Sequence, residues 1–130
     1  MQQMNLFNDI NEFSQKFGLP QPAQPKLLDH IDMHFRMQFM YEELREIQEG
    51  YSGKDIEEVF DGLIDLVYVA LGTAWLMNLP FNDGWARVHL ANMQKERAMS
   101  AGDTRSKRGH RWDIVKPEGW EAPVLTDLVE

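Results

Sequence analysis

The sequence contains no cysteine. Disulfides, zinc–thiolate centres and thiol nucleophiles are thereby excluded. Positive charge is scarce: 13 lysines and arginines face 21 aspartates and glutamates, a formal net charge of −8. A general nucleic-acid binder carries a positive field, so no nucleic-acid polymer is expected as a partner. A P-loop, a GxGxxG fingerprint and a Ser/His/Asp arrangement are also missing. The opening stretch MQQMNLFNDINEF lacks the charged and apolar regions of a signal peptide. The apolar run from Leu63 to Leu79 is interrupted by Asp65 and Asn78, whereas a membrane span needs about 20 mostly apolar residues. It reads as a buried helix of a cytoplasmic protein with no membrane partner. No internal repeat occurs, and no alternating pattern is long enough to build a sheet.

What is present is helical periodicity. Leu6, Phe7, Ile10, Phe13 and Phe17 mark a first helix that Gly18 ends. GLPQPAQP is too rich in proline for helix or central strand and forms a stiff connector. The spacing predicts a second helix from about Lys26 to Glu49, with Leu27, Leu28, Ile31, Phe35, Phe39, Met40, Leu44 and Ile47 as its stripe and Gly50 as its stop. A third helix runs from about Asp55, where Ser52 or Asp55 serves as cap, to Asn78. From Leu63 onward it is apolar all round, so a second subunit is expected to cover part of it. A fourth helix is predicted from about Asp83 to Ser100, and beyond Ala101-Gly102 a basic, extended tail. The expectation is one all-α domain, residues 1–130: an arm (1–25), catalytic helices (26–100) and the tail (101–130).

Charge is unevenly placed. Residues 42–65 hold nine acids against Arg45 and Lys54, while residues 95–116 hold seven bases against three acids. Glu42, Glu43 and Glu46 share one helical face, and Asp61 and Asp65 share a face of the next helix. A short connection makes these helices antiparallel neighbours, so four or five carboxylates can converge across one seam. Asp65 lies among Leu63, Ile64, Leu66 and Val67, where a lone carboxylate is costly unless paired or bound to a cation. Unneutralised acids in such a seam repel one another; Mg²⁺ or Mn²⁺, two or more ions per site, removes the conflict. Glu57 and Glu58 read as a solvated face. A ferritin-like di-iron centre calls for Glu-x-x-His pairs, which are absent.

At EELRE followed by DGLIDLVYVALGTA, the chain resembles the all-α nucleoside triphosphate pyrophosphohydrolases, the MazG-like and phosphoribosyl-ATP pyrophosphohydrolase-like proteins. Their hallmark is E-x-x-E on one helix and E-x-x-D on the next. Glu43 and Glu46 match the first, Glu42 supplies the doubled glutamate, and Asp65 matches the last position. Gly62 departs from the pattern where the family has glutamate, with Asp61 one residue earlier. VHLANMQK and the tail SKRG…DIVKPEGWEAP extend the resemblance to about residues 27–123, and the compact chain looks like versions found in bacteriophages.

The resemblance implies a four-helix-bundle-like MazG-type fold, completed as a homodimer or homotetramer, and metal-dependent hydrolysis of a nucleoside triphosphate to monophosphate and pyrophosphate. On that reading Glu43, Glu46, Asp61 and Asp65 hold metal, and Glu42 or Glu43 takes a proton from water. Lys95 is the leading cation for the phosphate charge, followed by Lys107, Arg108 and Lys116, each of which reads equally as a solvated surface charge. Asn92, three residues before Lys95 on the same predicted helical face, contacts sugar or phosphate or caps a packing contact. His34 and Gln38, with His30 and Phe35, face the base, or the two histidines simply occupy the polar face of the helix, and Tyr68 reaches the pocket or packs in the core. By analogy the substrate is a deoxynucleotide, a purine one such as dGTP or dATP. The alternatives are a phosphoribosyl-ATP or nucleoside diphosphate hydrolase on the same scaffold, or a non-enzymatic helical module that binds a cation through its acidic seam.

Overall fold

Asparagine and aspartate caps start the first three helices. Asn5, Asp29 and Asp55 each accept the backbone N–H three residues on, at 3.2, 2.8 and 3.2 Å. In the computed structural model, which describes residues 4–130, they introduce α1 (Leu6–Lys16), α2 (His30–Ser52) and α3 (Ile56–Leu76). Then follow α4 (Phe81–Asn92), strands β1 (Glu96–Arg97) and β2 (Ile114–Val115), and a 3-10 turn at Thr126–Leu128. The architecture is all-α apart from that two-residue antiparallel ladder.

Three boundaries differ from the periodicity reading. The second helix starts later than Lys26, because the Lys26 N–H donates to Met77 O (3.0 Å) and Asp29 takes the cap. It then continues through Gly50, which is buried against the start of α3, and Gly53 caps it instead. The fourth helix stops at Asn92, well short of Ser100. The amides of Gln94 and Lys95 turn back to Ala91 and Asn92, and the chain enters β1. Asn92 and Lys95 therefore do not share a helical face. α3 closes as expected near Asn78, which adopts φ 52° while the Leu79 N–H donates to Ala74 O.

The chain packs as two units, residues up to Phe81 with Val129–Glu130, and Asn82–Leu128. In the first unit α2 and α3 run antiparallel in close contact. At Gly62 an added Cβ would lie 2.7 Å from Ile47 Cγ1, so only glycine allows this approach. Ile10, Leu71 and Trp75 form the core, flanked by Phe7, Leu76 and Phe81. The Trp75 Nε1–H donates to Asn11 Oδ1 at 2.9 Å. The proline-rich connector is tied down: Gln21 Nε2 donates to Trp75 O and Asn78 Nδ2 to Pro22 O.

α3 is less buried within the chain than its composition suggests. Ile56 and Phe60 are 85% and 64% exposed, and Leu63, Ile64 and Val67 are about half exposed. Among the described residues α3 is the one helix long and apolar enough, by length and composition, to cross a membrane. Of the stripe expected for the second helix, Ile31, Phe35 and Leu44 on α2 are likewise exposed, as is Leu27 before the helix begins.

In the second unit the expected extended tail is folded. Asp113 is buried and accepts from Ser106 Oγ (2.6 Å), Arg108 Nε (3.0 Å) and the Ile114 N–H (2.9 Å). Arg105 bridges Asp103 and Glu96, and Arg87 pairs with Asp127. Charge pairing and turns, rather than apolar periodicity, order this segment.

Candidate metal centre on the α2–α3 seam

Glu43 lies on the side of α2 that meets α3 and is buried. Glu46, one turn on, is exposed at the same seam, and Asp65 approaches from α3, half-buried. One carboxylate oxygen from each residue lies within 4.8 Å of the others. Glu43 Oε2 is buried with no hydrogen-bond partner among the described residues. No lysine or arginine forms an ion pair with any of the three among the described residues.

The electrostatics follow from that geometry. Burial first, then the charges of Glu46 and Asp65, push the Glu43 carboxyl above its ordinary range. Burial, then Asp61 and Glu46, raise Asp65 in the same direction. Both acids resist ionising while no cation is near. A buried carboxylate oxygen without a donor, beside two more acids, is a cost that a hard divalent cation removes, since such ions prefer carboxylate oxygen. The donor set therefore fits a hard divalent cation.

Glu42 and Asp61 flank this trio rather than joining it. Both are exposed, and each adds to the field at its neighbour, Glu42 at Glu43 and Asp61 at Asp65. Asp61 opens onto an acidic groove shared with Glu57 and Glu58. Gly62 faces Ile47 too closely to accommodate any side chain.

The remaining expected residues fall into two groups. His34 and Gln38 are exposed on α2, before the acidic trio. Tyr68 meets Phe13 edge-on at 5.3 Å and lines an apolar cavity of about 310 Å³ with Leu6, Ile10 and Leu71. In the second unit Asn92 is the exposed last residue of α4, and Lys107 is exposed. Arg108 is engaged by Asp113, with Nη2 2.5 Å from Oδ1. Lys95 and Lys116 each place Nζ 5.0 Å from the Trp120 ring centroid.

Sequence reasoning missed Arg36. Its Nε donates to Thr73 Oγ1 and its Nη2 to Val69 O, both at 3.0 Å, which fastens α2 to α3 along the same seam. Burial lowers the pKa of its guanidinium. The available signal was Gly72-Thr73, a small and polar break in the apolar run of α3.

Residues 10–92 match the model of a family described as phosphoribosyl-ATP pyrophosphohydrolase. No individual curated protein matches the chain. The matched span holds the whole α2–α3 seam with its acids and ends at Asn92, before Lys95 and the folded tail. With all of α2, α3 and α4 and the acidic seam lying within that span, the chain belongs to the phosphoribosyl-ATP pyrophosphohydrolase family, MazG-like all-α hydrolases that cleave phosphoric anhydride bonds of nucleotides.

Proposed function

We propose that this nucleotide pyrophosphohydrolase acts on a nucleoside triphosphate, releasing the monophosphate and pyrophosphate. A deoxynucleotide is the preferred substrate, with purines such as dGTP or dATP first. The observation that carries the reading is the convergence of Glu43, Glu46 and Asp65, one carboxylate oxygen of each within 4.8 Å of the others, and Glu43 also has a buried oxygen without a donor. Glu43, Glu46 and Asp65, with Asp61 beside them, would hold two or more Mg²⁺ or Mn²⁺ ions. When bound, such ions polarise phosphoryl oxygens and acidify water.

The chain's own residues supply the rest of the mechanism. Glu42 or Glu43 takes the proton of the attacking water. Glu42 is the better placed of the two, because it is exposed and Glu43 is committed to the trio. The water oxygen bonds to phosphorus in line, the bond to pyrophosphate breaks, and the negative charge passes to the leaving group. Lys95, Lys107, Arg108 and Lys116 are proposed as phosphate contacts, with Lys95 the leading one. Asn92 is assigned to sugar or phosphate, His34 and Gln38 to the base, and Tyr68 to the apolar wall. A second copy of the chain, as a dimer or tetramer, is proposed to cover the exposed side of α3 formed by Ile56, Phe60 and Val67. We take residues 1–130 as one catalytic domain working on a cytoplasmic nucleotide pool.

A second reading is favoured by the description of the matched family: phosphoribosyl-ATP as the substrate. One experiment separates the two. Pyrophosphate release is measured with Mg²⁺ over the common NTPs, the dNTPs and phosphoribosyl-ATP. A (d)NTP turned over faster than phosphoribosyl-ATP supports the first reading, and the reverse order replaces it with the second. Orthophosphate in place of pyrophosphate contradicts both.

A further inference from the structure

The KPEGW segment, residues 116–120, lies outside the family-matched span, and the acidic seam does not explain it. Its fold is a tight turn. The Trp120 N–H donates to Pro117 O at 3.1 Å, and Gly119 takes φ +81°, the left-handed corner that a type II turn reserves for glycine. The turn folds the indole back, and its Nε1–H is anchored on Ala91 O at 2.7 Å. Trp120 is therefore fixed at both its backbone and its ring.

Two ammonium groups converge on that ring. Lys95 Nζ and Lys116 Nζ each lie 5.0 Å from its centroid. The ladder pairs Glu96 with Val115 and Arg97 with Ile114, and one step outward this register sets Lys95 opposite Lys116. Like charges directly across a ladder destabilise it. Among the described residues neither lysine forms an ion pair. Glu96 and Asp103 are taken by Arg105, Asp113 by Arg108, and Asp127 by Arg87. Glu118 lies in the turn and Glu121 just after it; both are exposed, and among the described residues they form no ion pair. This unit, residues 82–128, holds eight bases against seven acids, so it is net +1 in a chain of net −8.

We propose that Lys95 and Lys116, both resting on Trp120, form a metal-independent clamp for a pyrophosphate group. Trp120 is the positioning residue, and the lysines are the donors. Two ammonium groups on one platform suit an anion that carries charge on two linked phosphates. The choice of pyrophosphate rests on the pyrophosphohydrolase reading, but binding itself needs neither hydrolysis nor a divalent ion.

The test is calorimetric titration of the intact protein with sodium pyrophosphate in excess EDTA, where the carboxylates have no ion through which to hold phosphate. The wild type is expected to bind, with affinity falling as salt rises. Lys95→Ala/Lys116→Ala is expected to bind about tenfold or more weakly. Arg111→Ala, which removes a positive charge resting on Trp112 instead, is expected to leave the affinity nearly unchanged. Trp120→Leu should weaken binding and Trp120→Phe should restore most of it; if Trp120→Leu does not fold, the double lysine variant alone decides. Glu46→Gln, which removes a proposed metal ligand, should still bind pyrophosphate in EDTA. Loss of hydrolysis in that variant then bears on the seam and not on the clamp. No binding by the wild type in EDTA, wild-type affinity in the double lysine variant, or an equal loss in Arg111→Ala would overturn the proposal. Orthophosphate binding as tightly as pyrophosphate would overturn the assignment of ligand.

Discussion

Replacing Glu43 with glutamine tests the acidic seam through folding stability, independently of turnover. Without a cation, Glu43 and Asp65 have pKa values raised by burial and by neighbouring acids. The folded state then holds these protons more tightly than the unfolded chain does. Their contribution is stabilising below the unfolded carboxylate range and is lost as pH rises through the folded values. Glu43→Gln keeps the shape and removes the charge. In EDTA it is expected to gain stability relative to wild type on going from pH 4.5 to pH 8. Divalent ion reverses the ranking. At 100 times its dissociation constant, a ligand specific to the folded state contributes about 2.7 kcal/mol. For a chain of 130 residues this corresponds to a rise in Tm of about 10 °C. Differential scanning fluorimetry with and without Mg²⁺ measures it. Wild type should show the full shift and Glu43→Gln a small remnant. Equal shifts in the two proteins, or a metal-free wild type that outlasts the variant at pH 8, would refute the reasoning.

Three further outcomes are expected. Glu46→Ala and Asp65→Asn should each lower kcat/KM for pyrophosphate release about 100-fold or more at a fixed Mg²⁺ concentration; unchanged turnover in both would remove them as ligands. Gly62→Ala places a Cβ 2.7 Å from Ile47 Cγ1 and should cost about 1–3 kcal/mol in urea unfolding, whereas a neutral result would mean that the seam spreads freely. Arg36→Ala removes the donors to Thr73 and Val69 and should cost about 1–3 kcal/mol in the same assay; a stability gain would contradict the fastening role.

The helical core of the molecule was legible because its signals are local. Asp29 and Asp55 are capping residues in plain view, although the periodicity of Leu27 and Leu28 drew the start of α2 too early. The acidic seam was legible for a different reason: Asp65 has no reason to sit in an apolar run unless something compensates it. The role of Gly62 was not, since its neighbour Ile47 comes from another helix and only packing reveals the contact. The same holds for Arg36, which reads as an ordinary surface cation until its partners on α3 are known. The tail misled because it has no apolar period. Its order comes from Asp113, Asp103 and the Pro117–Trp120 turn, and that chemistry looks like loop composition when read along the chain.

The central claim is that acids from α2 and α3 jointly hold divalent cations. Crystals grown with Mn²⁺, measured at the manganese absorption edge, test it most directly. An anomalous peak bounded by the carboxylates of Glu43, Glu46 and Asp65 is the predicted result. Peaks confined to other acids, or Glu43 Oε2 satisfied by a protein donor with no manganese beside it, would contradict it.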